Sequence, residues 1–161
     1  MTMQSDVSSE HMTTTGVAVS YRTRLKGAVV SANTTAATRN VVFANNSTLT
    51  GTYNIPGSTT CTVTITNHGL TTGDRVYLDF TTGTATDNIY AVTVTGTNTF
   101  TVTTASLTTS GNVTMYKKVL MEVDAYNPTA YSITVPGQGI LATDGIYVAL
   151  PANVTATVFF G

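Results

Sequence analysis

The clearest pattern along the chain is an alternation of apolar and polar residues between Cys61 and Thr104. Residues two apart share one face of a β-strand, so a period of two in β-branched and aromatic residue types predicts strands. The predicted strands are Cys61–Thr66, Arg75–Phe80, Ile89–Thr95 and Thr99–Thr103. Glycines such as Gly69 and Gly73 lie between them, where turns need backbone angles that other residues resist. No segment here has the period of an α-helix.

A weaker alternation continues on both sides of this region. It predicts further strands at Gly16–Val30, Arg39–Ala44, Val113–Tyr116, Val119–Ala125, Tyr131–Val135, Gly145–Leu150 and Val154–Phe160. Gly27 would allow a β-bulge in the first of them. Pro56-Gly57-Ser58 predicts a break before the central strands, and Lys117-Lys118 marks a boundary after them.

These elements predict an all-β protein in which one domain is inserted into another. The flanking segments, 16–52 and 118–161, give too few strands to fold separately, but together they provide about six, which is enough for an antiparallel β-sandwich. That sandwich is discontinuous, because residues 53–117 form the inserted domain between its two parts.

Residues 1–15 are polar and show no periodicity. A disordered terminus is one interpretation of this segment. The other is an extended arm that lies on a neighbouring subunit, because twelve extended residues reach about 40 Å and can add a strand to an exposed sheet edge. The candidate contact residues in this arm are Met1, Met3, Val7 and Met12.

Several short motifs in the inserted segment resemble a known module. They are His68-Gly69-Leu70, Gly73-Asp74, Val76-Tyr77-Leu78, Asp87-Asn88-x-Tyr90-x-Val92 and Thr99-Phe100-Thr101-Val102. Together they resemble a small module that recurs in virion structural proteins of tailed bacteriophages and, more distantly, the β-barrel half-domain of ubiquitin-activating enzymes. The resemblance covers roughly residues 60 to 116 and implies a small β-barrel without catalytic residues of its own.

The flanking segments resemble a short family of phage structural proteins. The motifs are Tyr21-Arg22-x-Arg24-Leu25-Lys26-Gly27, Gly139-Ile140-Leu141, Asp144-Gly145-Ile146-Tyr147-Val148 and Val154-Thr155-x-Thr157-Val158-Phe159-Phe160-Gly161. In that family the two pieces are nearly contiguous, which favours insertion of the module over two domains in tandem.

The amino-acid composition excludes several classes of protein. Charged residues are only 9% of the chain, whereas threonine makes up roughly a quarter of it, which departs from ordinary usage. A net charge of −1 gives no reason to expect nucleic-acid binding. The single cysteine excludes an internal disulfide framework and a cysteine-based zinc site. We expect no membrane span and no secretion signal, since the chain has neither a long apolar run nor a basic-then-apolar start.

No catalytic, metal-binding or cofactor-binding residues can be assigned from the sequence. His11 and His68 belong to no evident nucleophile set, and a turn histidine bonded to its own loop is the favoured interpretation of His68. Asp79, Asp87 and Asp144 are scattered and do not have the spacing of a calcium loop. We therefore expect no enzymatic activity and no cofactor.

The polar cluster of interest is Arg22, Arg24 and Lys26, three cations within five positions on one predicted strand face. A solvated strand whose charges discourage edge pairing is one interpretation. The other is a contact with an acidic neighbour in an assembly, where arginine can bind a carboxylate through two hydrogen bonds.

These observations favour a non-enzymatic virion protein, made in the host cytoplasm and carried in the particle. The expected role is a decoration or cement protein that stabilises the particle through subunit contacts and its N-terminal arm. It would bind other virion proteins, the major capsid protein above all, and form a homo-oligomer. A tail or tail-fibre component, including an adhesion module for the host surface, is the alternative. A carbohydrate-processing enzyme has little support, because no paired carboxylates stand out.

Overall fold

The computed structural model describes residues 6–33, 40–125 and 129–161, and every regular element in them is a β-strand. The strands are β1 (Ser8–Met12), β2 (Gly16–Val19), β3 (Thr23–Ala32), β4 (Asn40–Asn45), β5 (Thr48–Thr64), β6 (Arg75–Asp79), β7 (Asn88–Ala91), β8 (Thr93–Val94), β9 (Thr99–Tyr116), β10 (Val119–Asp124), β11 (Tyr131–Thr134), β12 (Ile140–Ala142), β13 (Ile146–Ala149) and β14 (Val154–Phe160). The predicted all-β, antiparallel fold class is confirmed. The described residues contain no helix that is long and apolar enough to cross a membrane.

The chain forms two compact units. Met1–Asn46 and Val119–Gly161 make one, which we call the discontinuous unit, and Ser47–Lys118 make the other, which we call the inserted unit. The predicted insertion at residues 53–117 begins inside β5, because the strand starts earlier than the sequence pattern indicated. That each unit can fold by itself stays a prediction.

Two sheets build the discontinuous unit. The first sheet has the order β1-β14-β3-β11, with β12 also paired to β3, and the second has the order β10-β4-β13-β2. Leu25 and Val158 of the first sheet lie in the same buried cluster as Phe43 and Val148 of the second. The two sheets therefore share one hydrophobic core, as in a β-sandwich.

The predicted strand at Gly16–Val30 is two strands in different sheets. The chain bends at residues 20–22, so β2 pairs with β13 in the second sheet while β3 pairs with β14 in the first. Val19 and Leu25 are both buried, and a bend lets one core hold residues from both sheets. The sequence pattern could not show this bend, because alternation continues through it.

The bulge predicted near Gly27 is confirmed. Phe159 lies opposite Gly27 and Phe160 lies opposite Leu25, so Lys26 is an extra residue on β3. A bulge shifts the phase of a strand, and accordingly Leu25 and Ala28, three residues apart, both face the core. A side chain at Gly27 would overlap the carbonyl of Ile133.

The inserted unit is built on the long antiparallel pair β5–β9. Its sheet has the order β5-β9-β6-β7, and β8 also pairs with β9. Buried residues alternate with more exposed ones at residues 53–55 and 61–64 of β5 and at residues 99–102 and 113–115 of β9, so one face there packs a core that includes Ile55, Val63 and Phe100. The opposite face carries threonines.

The predicted break at Pro56-Gly57-Ser58 is wrong. These residues lie within β5, where the register with β9 shifts between Pro56 and Ser58 and again between Ser58 and Thr60. Proline lacks an N–H donor but is tolerated at bulges, and bulges curve a strand instead of ending it. Gly51 and Thr64, near opposite ends of β5, approach so closely that a side chain at Gly51 would overlap the Thr64 carbonyl.

The prediction of a small β-barrel also needs correction, since no closed barrel forms. Throughout Ser47–Lys118, all of which the structure describes, β5 and β7 are the two ends of the strand path and are not paired. Strand β7 ends at Ala91, and the two-residue β8 pairs with β9 instead. The sheet is therefore curved but open.

Candidate functional site

A groove on the outer face of the first sheet is the strongest candidate site. It has a volume of about 410 Å³ and is lined by Val7, Lys26, Gly27, Phe159 and residues 132–137. We call it the outer groove. It forms because β11 and β14 flank β3 on opposite sides, which brings together segments from both ends of the chain.

The bulge in β3 places Lys26 in the outer groove. Lys26 is half-buried, and its carbonyl accepts a hydrogen bond from the Val135 N–H at 2.8 Å. Beside it, Val7 is 40% exposed and Phe159 is half-buried. A primary ammonium next to an aromatic ring and an aliphatic side chain can bind a group that is anionic at one end and apolar at the other.

The three predicted basic residues do not all lie on one strand. Arg24 and Lys26 lie on the outer face of β3, but the Arg24 guanidinium donates to the Gly139 carbonyl at 3.2 Å and so holds the loop before β12. Arg22 precedes β3, in the bend, and is exposed. Of the three, Lys26 belongs to the groove, and Arg22 is accessible at the end of the strand.

The predicted N-terminal arm is corrected for the residues that the structure describes. Ser8–Met12 form β1, which pairs with β14 of the same chain, and the Met12 side chain lies in the core with 9% exposure. The sequence pattern missed this strand because only one of its five residues is buried. Val7 remains a candidate contact residue, whereas Met1 and Met3 lie outside the described residues.

The histidines have structural partners. His68 is buried, its Nδ1 accepts from the Leu70 N–H at 3.1 Å, and its Nε2 therefore donates to the Gly96 carbonyl at 3.1 Å. The interpretation of His68 as a turn residue bonded to its own loop is confirmed. His11 is exposed, with Nδ1 3.0 Å from the Thr157 hydroxyl.

A second cavity, of about 430 Å³, adjoins the His68 turn. Its lining includes His68, Leu70, Val94 and Gly96, and both ring nitrogens of His68 are already engaged in the loop. Lys117 donates to the carbonyls of His68 and Gly69 and closes the same turn. Neither ring nitrogen of His68 is therefore left to bind a ligand in this cavity.

The carboxylates of Asp144 and Asp87 accept hydrogen bonds from groups in or near their own turns. Hydrogen bonds from the Thr143 hydroxyl, at 2.6 Å, and from the Asn45 amide, at 2.8 Å, hold the pKa of Asp144 below its usual range. Burial raises the pKa of Asp87, although its Oδ1 accepts from the Phe80 N–H at 2.7 Å. Over the described ranges, no three His, Cys, Asp or Glu residues are grouped to hold a metal ion.

Cys61 is a buried free thiol in the inserted unit. Burial raises its pKa to about 11, so the thiol stays protonated at neutral pH, and a protonated thiol is a poor nucleophile. Its place is in the hydrophobic core.

Comparison with known proteins gives a distant structural likeness. No family model and no curated protein matches the sequence. Among solved structures, a chain described as "Phage phi92 endosialidase" aligns with 80% of this chain at 17% identity and a TM-score of 0.33. This chain spans 20% of that chain's length. The neighbour is a phage protein by name, but a likeness at this level carries no assignment of function.

The expectation that the chain is not an enzyme is contradicted by this finding, because the structural neighbour is named as an enzyme. We withdraw that expectation. The same TM-score of 0.33 is too low to assign an enzymatic activity to this chain.

Sequence reasoning missed two parts of the outer groove. Phe159 belongs to a strand predicted correctly, and residues 132–137 contain a predicted strand followed by a Pro-Gly turn. Neither segment carries a motif for binding. The groove comes from the pairing of β3 with strands more than a hundred residues away along the chain, which a single sequence does not reveal.

Proposed function

We propose that this chain is a structural subunit of a bacteriophage particle and, within that class, a decoration protein that cements the capsid through its outer groove. The observation that carries the proposal is the position of Lys26 beside Val7 and Phe159 in a groove of about 410 Å³. The motifs of the flanking segments, which resemble phage structural proteins, support the class.

The chemistry of the groove suits an acidic segment of a neighbouring virion protein. A carboxylate would contact the Lys26 ammonium, and the adjoining apolar groups would pack against Phe159 and Val7. A half-buried ion pair is less screened by salt than an exposed one, although some salt dependence remains. Arg22, exposed at the end of β3, would add attraction at longer range.

Charge reversal at the groove tests this proposal. Lys26→Glu and Arg22→Glu should weaken binding to purified undecorated particles, with the larger loss for Lys26→Glu, and leave thermal unfolding almost unchanged. Lys118→Glu, which makes the same charge change in the inserted unit, is the matched control. Occupancy on the particle would be measured at several salt concentrations.

The expected result is lower occupancy for the groove variants and normal occupancy for Lys118→Glu. If Lys26→Glu and Arg22→Glu bind as the unchanged protein does, the cations are solvated strand residues and the proposed capsid contact is wrong.

A tail component with an adhesive surface is the second candidate, and a feature of the inserted unit favours it. Threonines are opposed in rows across β5, β9 and β8, as in Thr62, Thr101 and Thr93. Such a face offers many hydroxyl groups and no charge, which suits a neutral glycan. Gold labelling of particles would separate head from tail, and binding of neutral polysaccharide by the isolated protein would favour this candidate.

A further inference from the structure

Strand β1 is held mainly by contacts of its main chain. It is the outermost strand of the first sheet, and among the described strands it pairs with β14, from Ser8 opposite Phe160 to Met12 opposite Ala156. Four of its five residues are exposed, and only the Met12 side chain is buried. Its docking therefore consists of a five-residue ladder, one side chain in the core and the contact between His11 and Thr157.

The connection after β1 is short and is made of residues that favour an extended backbone. Only Thr13–Thr15 separate β1 from β2, and β2 belongs to the second sheet. All three positions are bent, although β-branched residues prefer extended conformations. This is a conflict between local preference and the position that β1 occupies.

One end of the connection is fixed. The Thr15 hydroxyl accepts from the Leu150 N–H at 2.9 Å and lies 3.2 Å from the Leu150 carbonyl, to which it donates. Because the Thr15 side chain is held, Thr13 and Thr14 are the two bent residues that are left to straighten. If these two residues straighten, β1 moves away from its own β14 and continues in line with β2.

We propose that β1 is exchanged between copies of this chain, so that β1 of one copy pairs with β14 of a second. The edge of β14 is already complementary to this segment: the second copy's Met12 would enter the same core position, and His11 would meet Thr157. Every contact of β1 is kept and the bend at Thr13–Thr14 is relieved. Exchange of an identical element is a low-cost route to an oligomer.

This inference is separate from capsid binding. It concerns how copies hold one another through the edge of the first sheet, whereas the proposed function concerns the outer groove, whose Val7 would be supplied by the second copy after exchange. A protein that exchanges β1 but does not bind particles would support the inference and contradict the proposed function.

Cysteine cross-linking tests the exchange. One protein carries His11→Cys and the other Thr157→Cys, both with Cys61→Ser so that no native thiol remains. These positions are opposite in the β1–β14 ladder, and their side chains are in contact, which is the spacing that a cross-strand disulfide needs. The two proteins are mixed at high concentration, allowed to equilibrate and oxidised mildly.

The expected result is a disulfide-linked dimer in the mixture and none in either protein alone. The double variant, with both cysteines in one chain, is the control for geometry. If the double variant forms its disulfide only within a monomer and the mixture gives no dimer, the exchange is overturned.

Native mass spectrometry of the unchanged sequence gives an independent reading if neither disulfide forms. Inserting four glycines between Thr13 and Thr14 lets β1 reach its own β14 without strain. A concentration-dependent dimer that is lost on this insertion supports the exchange, whereas a monomer at every concentration, or a dimer that the insertion leaves unchanged, contradicts it.

Discussion

The two units of this protein differ in which parts of the chain form their sheets. The discontinuous unit pairs strands that are far apart in sequence, as where Val154 of β14 lies opposite Ala32 of β3. The inserted unit is one continuous segment whose first and last strands, β5 and β9, pair from Thr48 opposite Tyr116 to Thr64 opposite Thr99. The first needs both ends of the chain for its core, and the second needs neither.

They also differ in how their burial is distributed. Strand β13 is buried along its whole length, and so is β4 after its first residue. Strands β5 and β9 alternate between buried and more exposed residues over part of their length and have no buried residue at 56–60 and 103–112. A period of two is visible only where one face of a strand meets water. For this reason the strands of the inserted unit are easier to predict from the sequence than those of the discontinuous unit.

The largest expected effect on stability comes from replacing one buried phenylalanine in each unit. Phe43 and Phe100 have 0% exposure, in the discontinuous and the inserted unit respectively. Phe43→Ala and Phe100→Ala should each lower the free energy of unfolding by about 3–5 kcal/mol. If the units unfold separately, hydrogen exchange will accelerate mainly in the unit that carries the substitution.

Two exposed residues supply the controls. Val17→Ala in the discontinuous unit and Leu49→Ala in the inserted unit, at 49% and 37% exposure, should change the unfolding free energy by less than about 0.5 kcal/mol. Equal acceleration of exchange in both units after either core substitution would show a single cooperative body.

A smaller effect is expected at two glycines of the discontinuous unit. Gly145 has a φ of 101° and Gly137 a φ of 66°, so alanine at either position is strained by about 1–2 kcal/mol. A side chain at Gly145 would also overlap the backbone carbonyl of Val19, whereas Gly137 has open space around it. Gly145→Ala should therefore cost about 1–3 kcal/mol more than Gly137→Ala, as measured by urea unfolding.

The inserted unit offers a matching pair. Gly73 has a φ of 100° and open space, while a side chain at Gly83, whose φ is 89°, would meet the Tyr53 hydroxyl. Tyr53 is buried and its hydroxyl donates to the Thr82 carbonyl, and a side chain at Gly83 would also approach the backbone carbonyl of Ser110. The difference between Gly83→Ala and Gly73→Ala should thus be similar to the difference in the discontinuous unit; equal stability of Gly83→Ala and Gly73→Ala would contradict this account of the close contacts.

The smallest effects are expected from replacing Asp144 and Asp87. At neutral pH these two carboxylates contribute to stability with opposite signs. Hydrogen bonds lower the pKa of Asp144 in the discontinuous unit, so its contribution to stability is present at neutral pH and is lost as the pH falls below about 4. Burial raises the pKa of Asp87 in the inserted unit, so its ionised form opposes folding at neutral pH and this penalty disappears in acid.

Asp144→Asn should therefore lower the urea midpoint at pH 7, and Asp87→Asn should leave it unchanged or raise it. The amide oxygen that the second substitution introduces can still accept from the Phe80 N–H. Both differences should shrink as the pH falls, the Asp87 difference first, because the pKa of Asp87 is raised and that of Asp144 is lowered. A decrease at pH 7 for Asp87→Asn would mean that its hydrogen bond outweighs the cost of burying its charge.

The sequence predicted the fold class and most strand positions, and its failures have physical reasons. Alternation along Cys61–Thr64 and Thr99–Thr103 was clear because threonines mark the exposed face. It did not reveal β1, whose single buried residue, Met12, makes no pattern. Pro56 predicts a break, because a single sequence does not show that β9 runs alongside and accommodates a bulge. The bulge at Gly27 was predictable, since glycine there interrupts an otherwise regular strand.

The candidate site could be predicted only in part. Lys26 and Val7 were identified as contact residues, one from charge and one from its place near the terminus. Their meeting with Phe159 depends on the pairing of β3 with β14, which is a long-range property. The shared strand face predicts that Arg24 acts with Lys26, but the bond from Arg24 to Gly139 depends on a loop 115 residues away.

The central claim, that a complete sandwich is interrupted by an insertion, is tested most directly by excision. Val119 of β10 lies opposite Ala44 of β4, so the two strands can be joined by a tight turn once Ser47–Lys118 are removed. We predict that a protein in which a Gly-Gly turn links Asn46 to Val119 keeps slow hydrogen exchange at the amides that pair β3 with β14. Fast exchange at those amides, without cooperative unfolding, would contradict the claim.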